Sequence, residues 1–200
     1  LVTVMLFNQL GFLPMAHAAP LSGEAAAAES DNAKTLGLIA ILVESDLLND
    51  KTQYRTQGSS ATLTEGIFAL AQNMQGRVPH SLPMVIEVDS KESPFKIASV
   101  LEKLYFEGNN AKENNKLVGV VAIGNVPIPV VYEDDGSTHP SVYPYTDFYQ
   151  KRYIYNHATG HYEPNGKVTA PNPDVWHGVI VPPDKGPKGR QQLADYFYKN

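Results

Sequence analysis

The sequence predicts an α/β fold: a mostly parallel sheet flanked by helices, with a Pro- and Tyr-rich loop region attached. Three observations predict it. Apolar runs rich in Ile, Leu and Val recur at 36–45, 82–90 and 116–124. Helical patterns with one apolar face separate them, at 62–76 and 93–108. After Gly124 the texture changes to Pro, Tyr and Asp. Strand–helix–strand–helix–strand is the signature of βαβ units, whose crossovers give a parallel sheet with helices over it.

The chain opens on "LVTVMLFNQLGFLPMAHAAP". Its apolar run, residues 1–13, is shorter than the ~20 residues of a bilayer span. Ala16 and Ala18 then put small residues where signal peptidase reads, with Pro20 just beyond. Residues 1–18 therefore read as an export signal cleaved after Ala18. Its basic leading region is missing, and the first residue is Leu1 rather than Met. Residues 19–34, rich in Ala, Ser and Glu, have no apolar face and read as a linker. The α/β domain is expected over 35–200, as the N-terminal portion of a longer domain, because the closing "QQLADYFYKN" looks like a helix cut in mid-course.

Within that domain, "LGLIAILVES" (36–45) is apolar on both faces, as a strand buried between two helix layers must be. The polar tract "DKTQYRTQGSS" follows as a connection. Thr62 and Glu65 fit a capping box for the next helix. Ile67, Leu70, Ala71 and Met74 form its stripe, and Gly76 stands as its expected stop. "LPMVIEVDS" (82–90) is the second strand. Ser93 and Pro94 then open a helix whose stripe is Ile97, Val100, Leu101, Leu104 and Tyr105, ended by Gly108. "KLVGVVAIG" (116–124) is the third strand. Beyond it come a short strand "IPVVY" with the turn "EDDG", a hairpin of "RYIYN" and "HYEPN" around "HATG", and the strand "WHGVIVPP". A helix opened after Gly189 closes the chain.

Composition narrows the function. Hydrophobic residues are 42% and charged residues 18%, a globular balance. A net charge of −5 without runs of like charge disfavours nucleic acid and anionic membranes as partners, and no span is expected in the mature chain. With no cysteine, disulfides, thiolate metal sites and a cysteine nucleophile are excluded from this chain. "GNVPIP" has neither the glycines nor the Lys-Ser/Thr of a phosphate cradle, and no Gly-x-Ser-x-Gly or His-Glu-x-x-His occurs. His157 and His161 are four apart, but Ala158, Thr159 and Gly160 between them make a turn rather than a metal-binding helix.

In open α/β sheets ligands sit beyond the carboxyl ends of the strands. The loop leaving Gly124 is therefore the expected functional surface, and its candidate binding residues are Asp134, Asp135, Tyr145 and Asp147, joined by Trp176 and His177. Asp134, Asp135 and Asp147 are also candidate ligands of Ca²⁺, which takes six to eight oxygens. The alternative is that the first two make a solvent turn and Asp147 a local cap. The repeated Tyr and Pro of "SVYPYTDFY" either line a peptide or glycan groove or seal the loop against its own domain.

At "LVGVVAIGNVPIPVV", "PSVYPYTDF" and "PDVWHGVI" the chain resembles gingipain-type, caspase-like cysteine peptidase domains and related secreted bacterial proteins, over roughly residues 82–200. Asn125 stands where that family often has Asp. The resemblance implies a parallel sheet with helices on both sides. It also implies a catalytic His-Gly pair ending one apolar strand and a Cys ending the next, the His activating the thiol and backbone donors holding the oxyanion. His177 instead precedes its apolar run, and no Cys follows. The implied reading is an exported, non-catalytic first half, inactive alone. Any cysteine endopeptidase base and nucleophile would lie beyond Asn200, its partners being a peptide or protein substrate and the rest of its own polypeptide. The rival is a non-catalytic cell-envelope or surface module on the same fold, since fold alone does not choose. Either way His177 is expected to face the loop carrying Asp147, with Trp176 packed over the end of the sheet. N-terminal sequencing of the exported protein is expected to start at Ala19; a product retaining Leu1 would overturn the signal reading.

Overall fold

The computed structural model describes residues 3–5, 37–56, 59–78, 80–108, 115–166 and 172–199. The linker and most of the export signal expected from the sequence lie outside these residues. Five strands make the main sheet: β1 (Thr3–Met5), β2 (Gly37–Glu44), β5 (Ser81–Val88), β6 (Leu117–Ile123) and β11 (Trp176–Ile180), in the order β1-β5-β2-β6-β11. β5, β2, β6 and β11 run parallel, while β1 pairs antiparallel with β5.

β2 is central and flanked on both sides, so its backbone is paired along both edges and both its faces must be covered. Its six inner residues, Leu38 to Val43, are at most 1% exposed. Their alternation divides the core. Leu38, Ala40 and Leu42 point to one face, where they meet Ile97 and Leu101 of helix α3 (Pro94–Glu107) and the buried side chains of the long insertion. Ile39, Ile41 and Val43 point to the other. There they meet Leu63, Ile67 and Leu70 of α2 (Leu63–Arg77) and Leu193 and Phe197 of α4 (Pro187–Lys199).

The Thr62–Glu65 capping box is present: Glu65 N–H donates to Thr62 Oγ1, and Thr62 N–H to Glu65 Oε2 at 2.7 Å. The expected helix stop at Gly76 is corrected. α2 runs on to Arg77, because one internal glycine costs only about 1 kcal/mol and the firmer break is Val78, extended ahead of Pro79. α4 likewise begins at Pro187, not after Gly189, since proline suits the first turn, where no N–H is needed. The polar tract after β2 holds a short helix α1 (Ser45–Leu48) and a hairpin, β3 (Tyr54–Thr56) with β4 (Ser59–Ala61). The insertion after β6 forms its own sheet: β7 (Val130–Tyr132), β8 (Thr138–Pro140), β9 (Tyr153–Asn156) and β10 (His161–Pro164), in the order β8-β7-β10-β9. Among the described residues no helix is long and apolar enough to cross a membrane.

Asp50 fastens the α4 side. Its buried carboxylate accepts from Tyr54 Oη at 2.6 Å, Thr52 N–H at 2.8 Å and Arg190 Nη1 at 2.6 Å, joining β3 to α4. Burial alone would raise its pKa. The hydrogen bonds from Tyr54, Thr52 and Arg190 outweigh burial and hold the carboxyl well below the usual carboxylate range. A depressed folded-state pKa means that this stabilisation is complete above the ordinary aspartate value of about 4 and is lost as pH falls below it. Asp50→Ala is expected to cost about 3 kcal/mol at neutral pH, because it leaves Tyr54 Oη and the guanidinium without their acceptor. Urea melts down to about pH 2 should show this cost shrinking steadily as pH falls below about 4; equal destabilisation at both ends of the range would contradict it.

Candidate functional site

The point where the chain reverses direction in the sheet lies between β2 and β6, and ligands of open α/β sheets bind beyond the carboxyl ends of the strands there. β2 ends at Glu44, and β6 runs into Gly124 and Asn125. Gly124 has φ +82°, and a Cβ on it would fall 2.5 Å from Leu47 Cδ1 and 2.7 Å from Glu44 Oε2, so only glycine fits the turn. Glu44 Oε2 accepts the Asn125 N–H at 2.8 Å, and Lys185 Nζ donates to Asn125 Oδ1 at 2.9 Å. These contacts tie the end of β2 to the turn after β6 and to the segment after β11. The sequence carried a signal for Glu44, a carboxylate closing a strand that is otherwise apolar.

From Asn125 the insertion folds back over α3. Tyr145, in the 3₁₀ turn Tyr143–Tyr145, is 1% exposed and donates to the Pro127 carbonyl at 2.6 Å. Burial holds its hydroxyl protonated well beyond the ordinary tyrosine range. Asp174 Oδ2 accepts from the Phe148 and Tyr149 N–H groups at 2.7 and 2.8 Å, while the Asp174 N–H donates to the Thr146 carbonyl at 2.7 Å. The Gly124 N–H reaches the Ile180 carbonyl at 3.0 Å. Gly-Asn-x-Pro, Tyr-x-Tyr-Thr-Asp and Pro-Asp-x-Trp-His-Gly, far apart in sequence, thus form one hydrogen-bonded unit.

The structure sorts the six sequence candidates. Tyr145 is corrected from a binding residue to a core residue, because its ring fills the space between sheet and insertion. The proposed Ca²⁺ set is also corrected. Asp134 and Asp135 are exposed in the β7–β8 turn, where Asp135 accepts from the Ser137 N–H and its pKa is lowered by that bonding. Asp147 is buried, and its two oxygens accept the Lys151 and Arg152 N–H groups at 3.0 and 2.7 Å. It caps its own loop, and among the described residues no three His, Asp or Glu side chains group as a metal would require. Trp176 and His177 lie on β11, opposite Gly119 and Val120 of β6. The Trp176 ring covers Gly119 so closely that a Cβ there would sit 2.1 Å from it. His177 is exposed, on the face of the sheet that carries the insertion.

A shallow cleft of about 400 Å³, solvent included, lies between α3 and the insertion. Phe95 and Tyr155 stack in its wall at 4.4 Å, Tyr153, Phe148 and Tyr162 back it, and Lys151 Nζ pairs with Glu102 Oε1 at 2.7 Å on its flank. Sequence reasoning passed over Phe95, which lies off the apolar stripe of α3. The cleft offers aromatic faces and one neutralised ion pair, which is chemistry for holding a ligand rather than for bond making. The chain matches no protein-family model, no curated protein and no solved structure.

Asp147→Ala is expected to lower stability by about 2–4 kcal/mol, since two part-buried backbone donors lose a charged, buried acceptor. The loss should be the same with and without saturating Ca²⁺ in thermal melts; a Ca²⁺-dependent rise in melting temperature that vanishes in this variant would restore the metal site.

Proposed function

We propose that the chain is the non-catalytic first half of an exported, caspase-like domain of gingipain type, which supplies sheet, core and part of a substrate surface. The base and nucleophile of the cysteine endopeptidase then lie beyond Asn200. The observation that carries this reading is the convergence of the three resembling motifs into one hydrogen-bonded unit. Their polar residues are spent on construction: Tyr145 on Pro127, Asp147 on Lys151 and Arg152, Asp174 on Phe148 and Tyr149. His177 fits the same account. It stands three residues before the carboxyl end of β11, whereas a base working at the sheet's ligand-binding end belongs after that end.

The cleft beside Phe95 and Tyr155 favours a second reading, a cell-envelope or surface binding module on the same fold. Stacked aromatic faces at the edge of an insertion serve ligand capture with or without a peptidase behind them.

Peptide cleavage separates the two. The purified chain is expected to leave peptides with Arg, Lys or Asp before the scissile bond intact. A longer form that continues through an apolar strand ending in His-Gly and another ending in Cys is expected to cleave them and to lose activity to thiol alkylation. A continuation without that pair, or thiol-insensitive cleavage, would remove the peptidase reading in favour of the binding module. Cleavage by the 200-residue chain itself would overturn its inactive role.

A further inference from the structure

Lys151 has a backbone conformation that lysine rarely takes. Its φ is +52°, and among the described residues His80 alone shares that left-handed region without being glycine. A residue with a Cβ is strained there. The surroundings enforce the strain. Asp147 accepts the Lys151 and Arg152 N–H groups at 3.0 and 2.7 Å. Asn165 donates its backbone N–H to the Arg152 carbonyl at 2.7 Å and its Nδ2 to the Gln150 carbonyl at 3.3 Å. Residues 150–152 are thus pinned, and the lysine side chain is held against Glu102 of α3 on the flank of the aromatic cleft.

Stability does not account for a lysine at this place. The side chains of Lys151 and Glu102 are 40% and 37% exposed, and an ion pair so open to water contributes less than the left-handed backbone costs. Glycine would make the same backbone bonds to Asp147 without strain. Strain that neighbouring bonds hold in place beside a cleft marks a position kept for what its side chain does.

What the pair can do follows from its geometry. Lys151 Nζ and Glu102 Oε1 lie 2.7 Å apart, a donor and an acceptor side by side. A ligand with a single charge would take one partner and leave the other without its counter-charge. A hydroxyl both donates and accepts, so two hydroxyls on neighbouring carbons engage amine and carboxylate together and leave the pair intact. A trans peptide group offers one N–H and one C=O that point opposite ways and cannot address both. Beside the pair, Phe95 and Tyr155 stack half-buried, and Ile154 is 49% exposed. Aromatic rings carry negative faces that attract C–H groups. Such a surface next to a joined donor and acceptor complements a pyranose ring, which is C–H on its faces and hydroxyl at its rim. The cleft is shallow, so the far face of that ring stays in water and can belong to a longer glycan. Building on the cleft's role in ligand capture, we propose that it binds a neutral sugar residue, with vicinal hydroxyls on Lys151 and Glu102 and the ring against Phe95 and Tyr155.

Amide NMR spectra of the isotope-labelled chain test this by titration, into the millimolar range, with the methyl glycosides of glucose, mannose, galactose and N-acetylglucosamine. At least one glycoside is expected to move the Phe95, Lys151 and Tyr155 amides saturably, and its fully O-methylated form to move none of them. Lys151→Gly should weaken binding about tenfold or more while its melting temperature stays level or rises, and Glu102→Ala should weaken binding likewise. Acetylated tripeptide amides are titrated alongside. Shifts with the peptides and with none of the glycosides would overturn the sugar assignment and keep the cleft as a ligand surface; shifts with neither would overturn both. A glycoside that binds Lys151→Gly as tightly as the wild type, or a lower melting temperature in that variant, would also overturn the assignment.

Discussion

The double burial of β2 is the constraint on which the rest of the structure depends. A strand paired on both edges and covered on both faces has no room for a polar side chain on either face. Leu38 to Val43 accordingly form an unbroken apolar run in which alternate residues serve opposite cores. Everything placed above and below the sheet follows from those two sets. Leu38, Ala40 and Leu42 require α3 and the insertion; Ile39, Ile41 and Val43 require α2 and α4. At about 1.5–3 kcal/mol for each large side chain fully buried, this strand holds the layers together more than any polar contact does. Asp50 and Asp174 fasten pieces whose positions the apolar layers have already set.

That is also why the main sheet was legible in the sequence and the small elements were not. A run such as "LGLIAILVES" has few alternatives to a doubly covered strand, and the capping box at Thr62 marks where its helix starts. The β3–β4 hairpin left no such trace, since Ser59, Ser60 and Thr56 are polar and only Tyr54 of that hairpin reaches the core. β8 is exposed throughout and has no pattern to read. Gly76 and Gly189 misled for a common reason: glycine permits a helix end but does not impose one, whereas Pro79 and Pro187 act on the backbone directly.

The candidate surface was legible in outline and not in role. The residues named from the loop after Gly124 do lie in the insertion, but sequence spacing does not reveal what a carboxylate is bonded to. Asp147 and Asp134 look alike in the sequence, yet one is buried under two backbone donors and the other faces water. The aromatic residues divided in the same way. Tyr145, Phe148 and Tyr162 turned inward and seal the insertion, while Phe95 and Tyr155 stack half-buried in the cleft wall and Tyr149 faces solvent.

The strand order also bears on how the chain folds. The central strand is the first of the parallel set to be synthesised, yet its partners are Ser81–Val88 on one edge and Leu117–Ile123 on the other. An apolar run must therefore wait for its first partner until α2 has followed it, and for its second until α3 has. Such long-range pairings close slowly and leave sticky segments exposed meanwhile. A chain threaded outward from its N-terminus meets this delay at its most apolar strand, which makes residues 36–45 the natural point for a holding chaperone to act.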